Sequence, residues 1–249
     1  IARTHQKTFI NKDANLLVSF QKDSGYDSYG KTQAYNATIG VPAEFAYTSA
    51  LKTLLEKKEN KFTLRGGKKN GTTFLFWSEK QNEFENFFPV FFSFVKTDDP
   101  DTNVKSLKVA LESIFTGRFY DDGDTQFYIL GLCQGGGSRI AIRYWKTATV
   151  KVFASNIKQH FEDLSIVSGF DNAGINLYSL LTNTCLKGDL DNLPPNMVGQ
   201  IVESILDINI TYPTTLQQQC IRRIRAEVSE KTNVTRIRAA ILKAYLNRK

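Results

Sequence analysis

Gly131, Gly136, Gly137 and Ser138 stand at the glycine and serine positions of a G-x-x-x-x-G-K-S phosphate loop, within the run FYILGLCQGGGSRIAIRYW from Phe127 to Trp145. In that motif a lysine brings charge to the β and γ phosphates, and the loop opens a helix whose N-terminus faces the anion. Gly137 takes the lysine's place here. Downstream, Ile140, Ile142 and Tyr144 alternate with Arg139, Ala141, Arg143 and Trp145, which is the period of a strand and not of a helix. The stretch reads as strand, glycine turn, strand, with Gly135–Gly137 supplying a permissive backbone. An enzyme acting on nucleotides through the Gly135–Ser138 loop is therefore the poorer reading, for want of the lysine.

Basic side chains are the other candidates. Residues 1–219 carry 23 Lys and Arg against 23 Asp and Glu; residues 220–249 carry nine against Glu227 and Glu230, so the whole net charge of +7 lies in that C-terminal stretch. Two helices are expected there. In the first, Ile221, Ile224 and Val228 form an apolar stripe, Arg222 and Arg225 are neighbours three apart, and Arg223 points to the other flank. In the second, Ile237, Ala240, Ile241 and Ala244 make the stripe, Arg236 and Lys243 share one flank, and Arg238 and Lys249 the other. Cations favour helix C-termini, which accounts for Arg248 and Lys249 but not for Arg222, Arg223, Arg236 and Arg238. Arginine also suits bidentate contact with phosphate or carboxylate. The pattern points to nucleic-acid backbone or an acidic partner, the alternative being a solvated or internally salt-bridged face.

Two lesser candidates share that chemistry. Lys68 and Lys69 sit at the tip of an expected hairpin, LRGGKKNGT, whose Gly66-Gly67 and Asn70-Gly71 are turn residues. Tyr26, Tyr29 and Tyr35 lie among Lys31, Gln33 and Asn36, so aromatics that could stack stand beside amides that could read base edges.

Other chemistry finds little support. Asp98, Asp99 and Asp101, and Asp121, Asp122 and Asp124, lack the spacing of a calcium loop and read as solvated turns. Cys133, Cys185 and Cys220 stand far apart with only His5 and His160 to join them, so no metal or cofactor is implied, and their odd number favours a reducing cytoplasm. No run approaches the ~20 apolar residues of a spanning helix. The nearest, Phe87–Val95, reads as a buried strand containing Pro89, and no membrane partner is expected.

Strands are expected near Leu16–Phe20, Lys61–Leu64, Thr72–Trp77, Phe127–Leu132 and Arg139–Trp145, with helices near Glu44–Lys57, Val104–Thr116 and Val150–Leu164. After Ser165 the strand signals stop, and helices follow at Ile175–Cys185, Pro195–Ile208, Thr214–Val228 and Thr235–Asn247. The fold class is α+β: a hairpin-rich antiparallel sheet with packed helices over residues 1–168, then an all-helical part over residues 169–249 that ends in the basic helices. The boundary falls near Ser168–Asn172. With 41% hydrophobic residues the chain can bury a sizeable core.

Four blocks, in order, resemble the large subunit of type I-C CRISPR surveillance complexes, the Csd family. They are LLVSFQKDSGYDSYGKTQAYNAT with FAYTSALKTLL, GTTFLFWSE, the LGL to Arg-Tyr-Trp run with His160 and Leu164, and NLPPNMVGQIVESILDINITYPTTLQQQCIRRIRAE with the closing IRAAILKAYLNRK. Gln21, Thr38 and Gly135–Ser138 depart from the family's usual asparagine, proline and Asn-Ala-Ala-Arg. The resemblance implies a non-catalytic, cytoplasmic prokaryotic protein of antiviral defence. It implies assembly with CRISPR guide RNA and other Cascade subunits, binding of target double-stranded DNA, recognition of the protospacer-adjacent motif, and docking of a helicase-nuclease. The family's members are longer and this chain opens on Ile1, so a fragment is expected. A stand-alone nucleic-acid binder is the alternative.

Overall fold

In the computed structural model, residues 7–9, 14–18, 20, 25, 29–37, 39–64, 71–92, 100–119, 124–134, 140–166, 175–194, 196–228 and 235–249 are described. A short antiparallel ribbon, β1 (Lys7–Phe9) and β2 (Ala14–Leu16), precedes α1 (Val41–Glu56), which starts with Pro42 in its first turn. The main sheet is an antiparallel meander, β3 (Lys61–Leu64), β4 (Thr72–Ser78), β5 (Gln126–Gln134) and β6 (Ile140–Thr149), adjacent in that order.

Alternation decides what each face buries. Phe62, Phe74, Phe76, Phe127 and Ile129 point to one side, where α2 (Phe84–Phe87), a 3-10 turn (Phe88–Phe91) and α3 (Pro100–Phe115) meet them. Phe62 stacks on Phe74 at 5.1 Å and on Phe92 at 5.3 Å, so the core here is mostly aromatic. Leu75, Leu132 and Ile140 point to the opposite side, where Leu51 and Leu55 of α1 cover them.

β6 passes directly into α4 (Val150–Leu164), with Thr149 Oγ1 accepting from the Val152 N–H as a cap. Phe153, Ala154, Ile157, Phe161 and Leu164 make its buried stripe. The rest is α5 (Leu177–Thr184), α6 (Met197–Leu206), α7 (Thr214–Val228) and α8 (Arg236–Asn247). Their apolar faces, including Leu180, Ile201, Leu216 and Ile241, join the aromatic side of the sheet in one continuous cluster. The fold is α+β with a helical C-terminal part.

Two expectations are corrected. Phe87–Phe91 is helical, not a strand: Phe84, Phe88, Phe91 and Phe92 recur at intervals of four, three and one and are all buried, and Pro89 opens the 3-10 turn. Residues 93–95 of that expected strand lie outside the described residues. The strand expected at Leu16–Phe20 ends at Leu16, and Leu17 leaves it to pack against the α1 side of the sheet.

Candidate nucleic-acid interface

α8 buries Ala240, Ile241 and Ala244 of its expected stripe, whereas in α7 the buried residues are Leu216 and Cys220, and Ile221 and Ile224 of the expected stripe are only half-buried. Around them the arginines divide into two groups. Arg222 and Arg225 are exposed, lie on one face of α7, and make no ion pair among the described residues. The others turn inward.

Arg238 is buried, contrary to its expected place on a free flank of α8. Both its terminal nitrogens bond the Glu227 carboxylate, one of them to Oε1 at 2.8 Å, and its Nε donates to the Asn183 carbonyl at 2.9 Å. One guanidinium thus joins α8 to α7 and to the end of α5. Arg223 reaches the same carboxylate at 3.2 Å, and these bonds hold the Glu227 carboxyl below its usual range. Lys243 donates to the carbonyls of Asp163 at 3.1 Å and Glu162 at 3.4 Å, the C-terminal end of α4, so it serves another helix's dipole. Arg236 is half-buried in the first turn of α8. Arg248, expected to serve its own helix end, crosses instead to Asp163 Oδ2 at 2.5 Å and to the Ser204 carbonyl, and lies 4.7 Å over the Tyr212 ring. Internal contacts therefore claim much of the basic excess that the sequence assigned to a partner.

Tyr29 is fully exposed with φ 53°. Lys31 and Gln33 are exposed beside it, and Asn36 is committed to the loop, its Nδ2 donating to the carbonyls of Lys31 at 3.1 Å and Gln33 at 3.2 Å. Lys68, Lys69 and the Gly135–Ser138 turn lie outside the described residues, as does Tyr26. Among the described residues no group of three or more His, Cys, Asp or Glu is placed to hold a metal ion. No described helix is long and apolar enough to cross a membrane. Cys133, Cys185 and Cys220 are buried free thiols.

A pocket of about 220 Å³ that sequence reasoning missed lies between β6 and the first turn of α6. On β6, Tyr144 pairs with Gly131 but Ile142 pairs with Leu132, leaving Arg143 as an extra residue in a bulge. The bulge cancels the alternation, and Arg143 and Tyr144 both line the pocket. Arg143 Nε donates to Cys133 Sγ at 3.0 Å and a terminal nitrogen reaches Asn196 Oδ1 at 3.5 Å. Asn196 has φ 67°, in the left-handed region, and its side chain does not cap α6. The Tyr144 hydroxyl is buried without a partner among the described residues. Burial, then the carboxylates of Glu203 and Asp207, push its pKa far up, so it remains a donor.

Gly131, the first glycine of the phosphate-loop-like motif, belongs to this arrangement. A Cβ there would stand 2.7 Å from Tyr144 Cβ and 3.3 Å from the Phe74 ring. The glycine makes room for the tyrosine; a glycine opposite an aromatic is the one signal of the pocket that the sequence carries.

A family model described as CRISPR-associated protein (Cas_Csd1) matches residues 1–249, the whole chain. No curated protein matches the chain.

Proposed function

The chain belongs to the Cas_Csd1 family of CRISPR-associated proteins, and from that premise we propose that it acts as a non-catalytic large-subunit component of a type I-C RNA-guided surveillance complex. In that role it assembles with guide RNA and the other Cascade subunits in a prokaryotic cytoplasm, binds target double-stranded DNA, takes part in recognising the protospacer-adjacent motif, and offers a docking surface for the helicase-nuclease. In RNA-guided systems base pairing reads the sequence, while protein reads a short motif and the backbone shape. Exposed cations with no internal partner are the groups suited to the backbone.

The observation that carries the reading is the exposure of Arg222 and Arg225 on one face of α7, beside arginines that are held internally. Tyr29 and Lys31 offer a second exposed aromatic and cationic pair. Lys68 and Lys69 remain candidates by sequence.

Reversing Arg222 and Arg225 to glutamate in the assembled complex tests it. Target-DNA binding is expected to weaken, and the log-log salt slope to fall in magnitude by about 0.9 for each phosphate that the variant no longer neutralises. Unchanged affinity and slope in an equilibrium gel-shift titration would sink the backbone contact, and loss of assembly would move both arginines to a subunit interface.

A further inference from the structure

We propose that the pocket between β6 and α6 receives a single unstacked nucleobase, with Arg143 as donor and Glu203 as acceptor. The proposal rests on the reading that the chain contacts nucleic acid, and adds a site to it.

Features that the core does not need converge on this pocket. The bulge in β6 brings Arg143 to the side of Tyr144. Asn196, a non-glycine residue in the left-handed region, opens α6 with no side-chain cap. Tyr144, only 5% exposed, closes the pocket's inner wall. Gly131 is cut back to nothing so that Tyr144 can seat. Unfavourable backbone states persist where the surrounding fold holds them for a use.

The polar groups specify the ligand. Arg143 is a cation whose contacts are a thiol and an amide oxygen, and Glu203, on the next turn of α6, makes no ion pair among the described residues. A phosphate would satisfy Arg143 and the uncapped start of α6, but it would face the Glu203 carboxylate. An apolar ligand would strip water from all of them. A flat heterocycle carrying an exocyclic amine beside a ring acceptor answers both signs: the amine donates to Glu203, and the acceptor takes a hydrogen bond from Arg143. Phe74 and Val198 supply apolar wall for its faces. At about 220 Å³ the space is below the ~300 Å³ at which cavities for larger ligands begin, which favours one base over a whole nucleotide. Bases taken out of a stack are held in such pockets by edge contacts.

The test crosses two variants with two strands. The full chain is titrated with a fluorescent oligodeoxycytidylate and with an abasic strand of the same length, which keeps every phosphate. Arg143→Gln removes the charged donor, and Glu203→Gln keeps the side chain's shape; circular dichroism confirms that both fold. Each is expected to weaken cytidylate binding about tenfold and to leave the abasic strand unchanged. Equal effects on both strands, or none on either, overturn the proposal. So does tighter abasic binding by Glu203→Gln with competition from inorganic phosphate, which would mark an anion site. If the wild-type chain binds neither strand, the nucleic-acid reading itself fails, an outcome distinct from all the others.

Discussion

His160 is 2% exposed, with its Nδ1 2.6 Å from the Tyr212 hydroxyl. Burial first, and the Arg248 charge second, lower its pKa to about 3. The unfolded chain protonates a histidine near 6.5. Between those values the unfolded state holds one more proton than the native state, so stability is full above about 6.5 and declines as pH falls, with a limiting slope of about 1.4 kcal/mol per unit. Glu227 and Asp207, whose carboxyls are held below their usual range, add loss in the same direction, but only once pH falls through the carboxylate region. Urea midpoints measured from pH 7 to pH 5 should therefore fall for the wild-type chain and stay flatter for His160→Gln, and parallel pH profiles would contradict a buried neutral ring. None of this is legible in the sequence. There His160 stands only as part of a motif, because its environment is made by Tyr212 and Arg248, far along the chain.

Elements were far more legible than environments. Lys61–Leu64 and Thr214–Val228 have the bounds that their periodicity dictates, and Val150–Leu164 is the helix its stripe predicts. The aromatic run misled because a fully apolar segment fits strand and helix alike, and the deciding feature, the recurrence of Phe84, Phe88 and Phe91, begins before the run that was read. β6 misled differently: its sequence alternates, yet one bulge at Arg143 breaks the alternation in the strand and sends Ile140 and Tyr144 to opposite sides of the sheet, and nothing in IAIRYW announces it. The arginines of α7 and α8 divide on contacts to Glu227, Asn183 and Asp163, which a single helix face does not reveal. Gly131 gives the strand-level prediction. A methyl group placed 2.7 Å from Tyr144 Cβ cannot be accommodated by a flexible tip, since the neighbour is itself a Cβ on the paired strand. Gly131→Ala should lower stability by about 1–3 kcal/mol in chemical denaturation, the range of overpacking. A neutral result would mean that the strands spread at no cost.

At the scale of the molecule, the division expected near residue 168 separates a sheet-bearing part from a helical part, and the junction itself, residues 167–174, lies outside the described residues. Contacts across it are many and polar as well as apolar. Lys146 Nζ meets Asp207 Oδ2 at 2.7 Å, Asn156 Nδ2 donates to the Leu206 carbonyl at 2.7 Å, and Arg248 Nε bonds Asp163 Oδ2 at 2.5 Å. The apolar cluster runs through both parts, from Phe62 to Ala244. Neither part can bury its inner face alone, so the two should unfold as one cooperative unit. Both tryptophans, Trp77 and Trp145, are in the first part and report on it alone, while the far-ultraviolet helical signal comes from α1–α4 and α5–α8 together, so separate unfolding of the second part would split that signal into two steps. Fluorescence and circular dichroism transitions in urea should coincide. Arg248→Ala removes one partner of a buried pair and leaves Asp163 uncompensated, which costs about 3–5 kcal/mol in such sites, and it should shift both transitions together. A fluorescence transition left in place while part of the helical signal moves would instead establish that the sheet-bearing part stands without α5–α8, which would take with them Arg222, Arg225 and the α6 wall of the pocket.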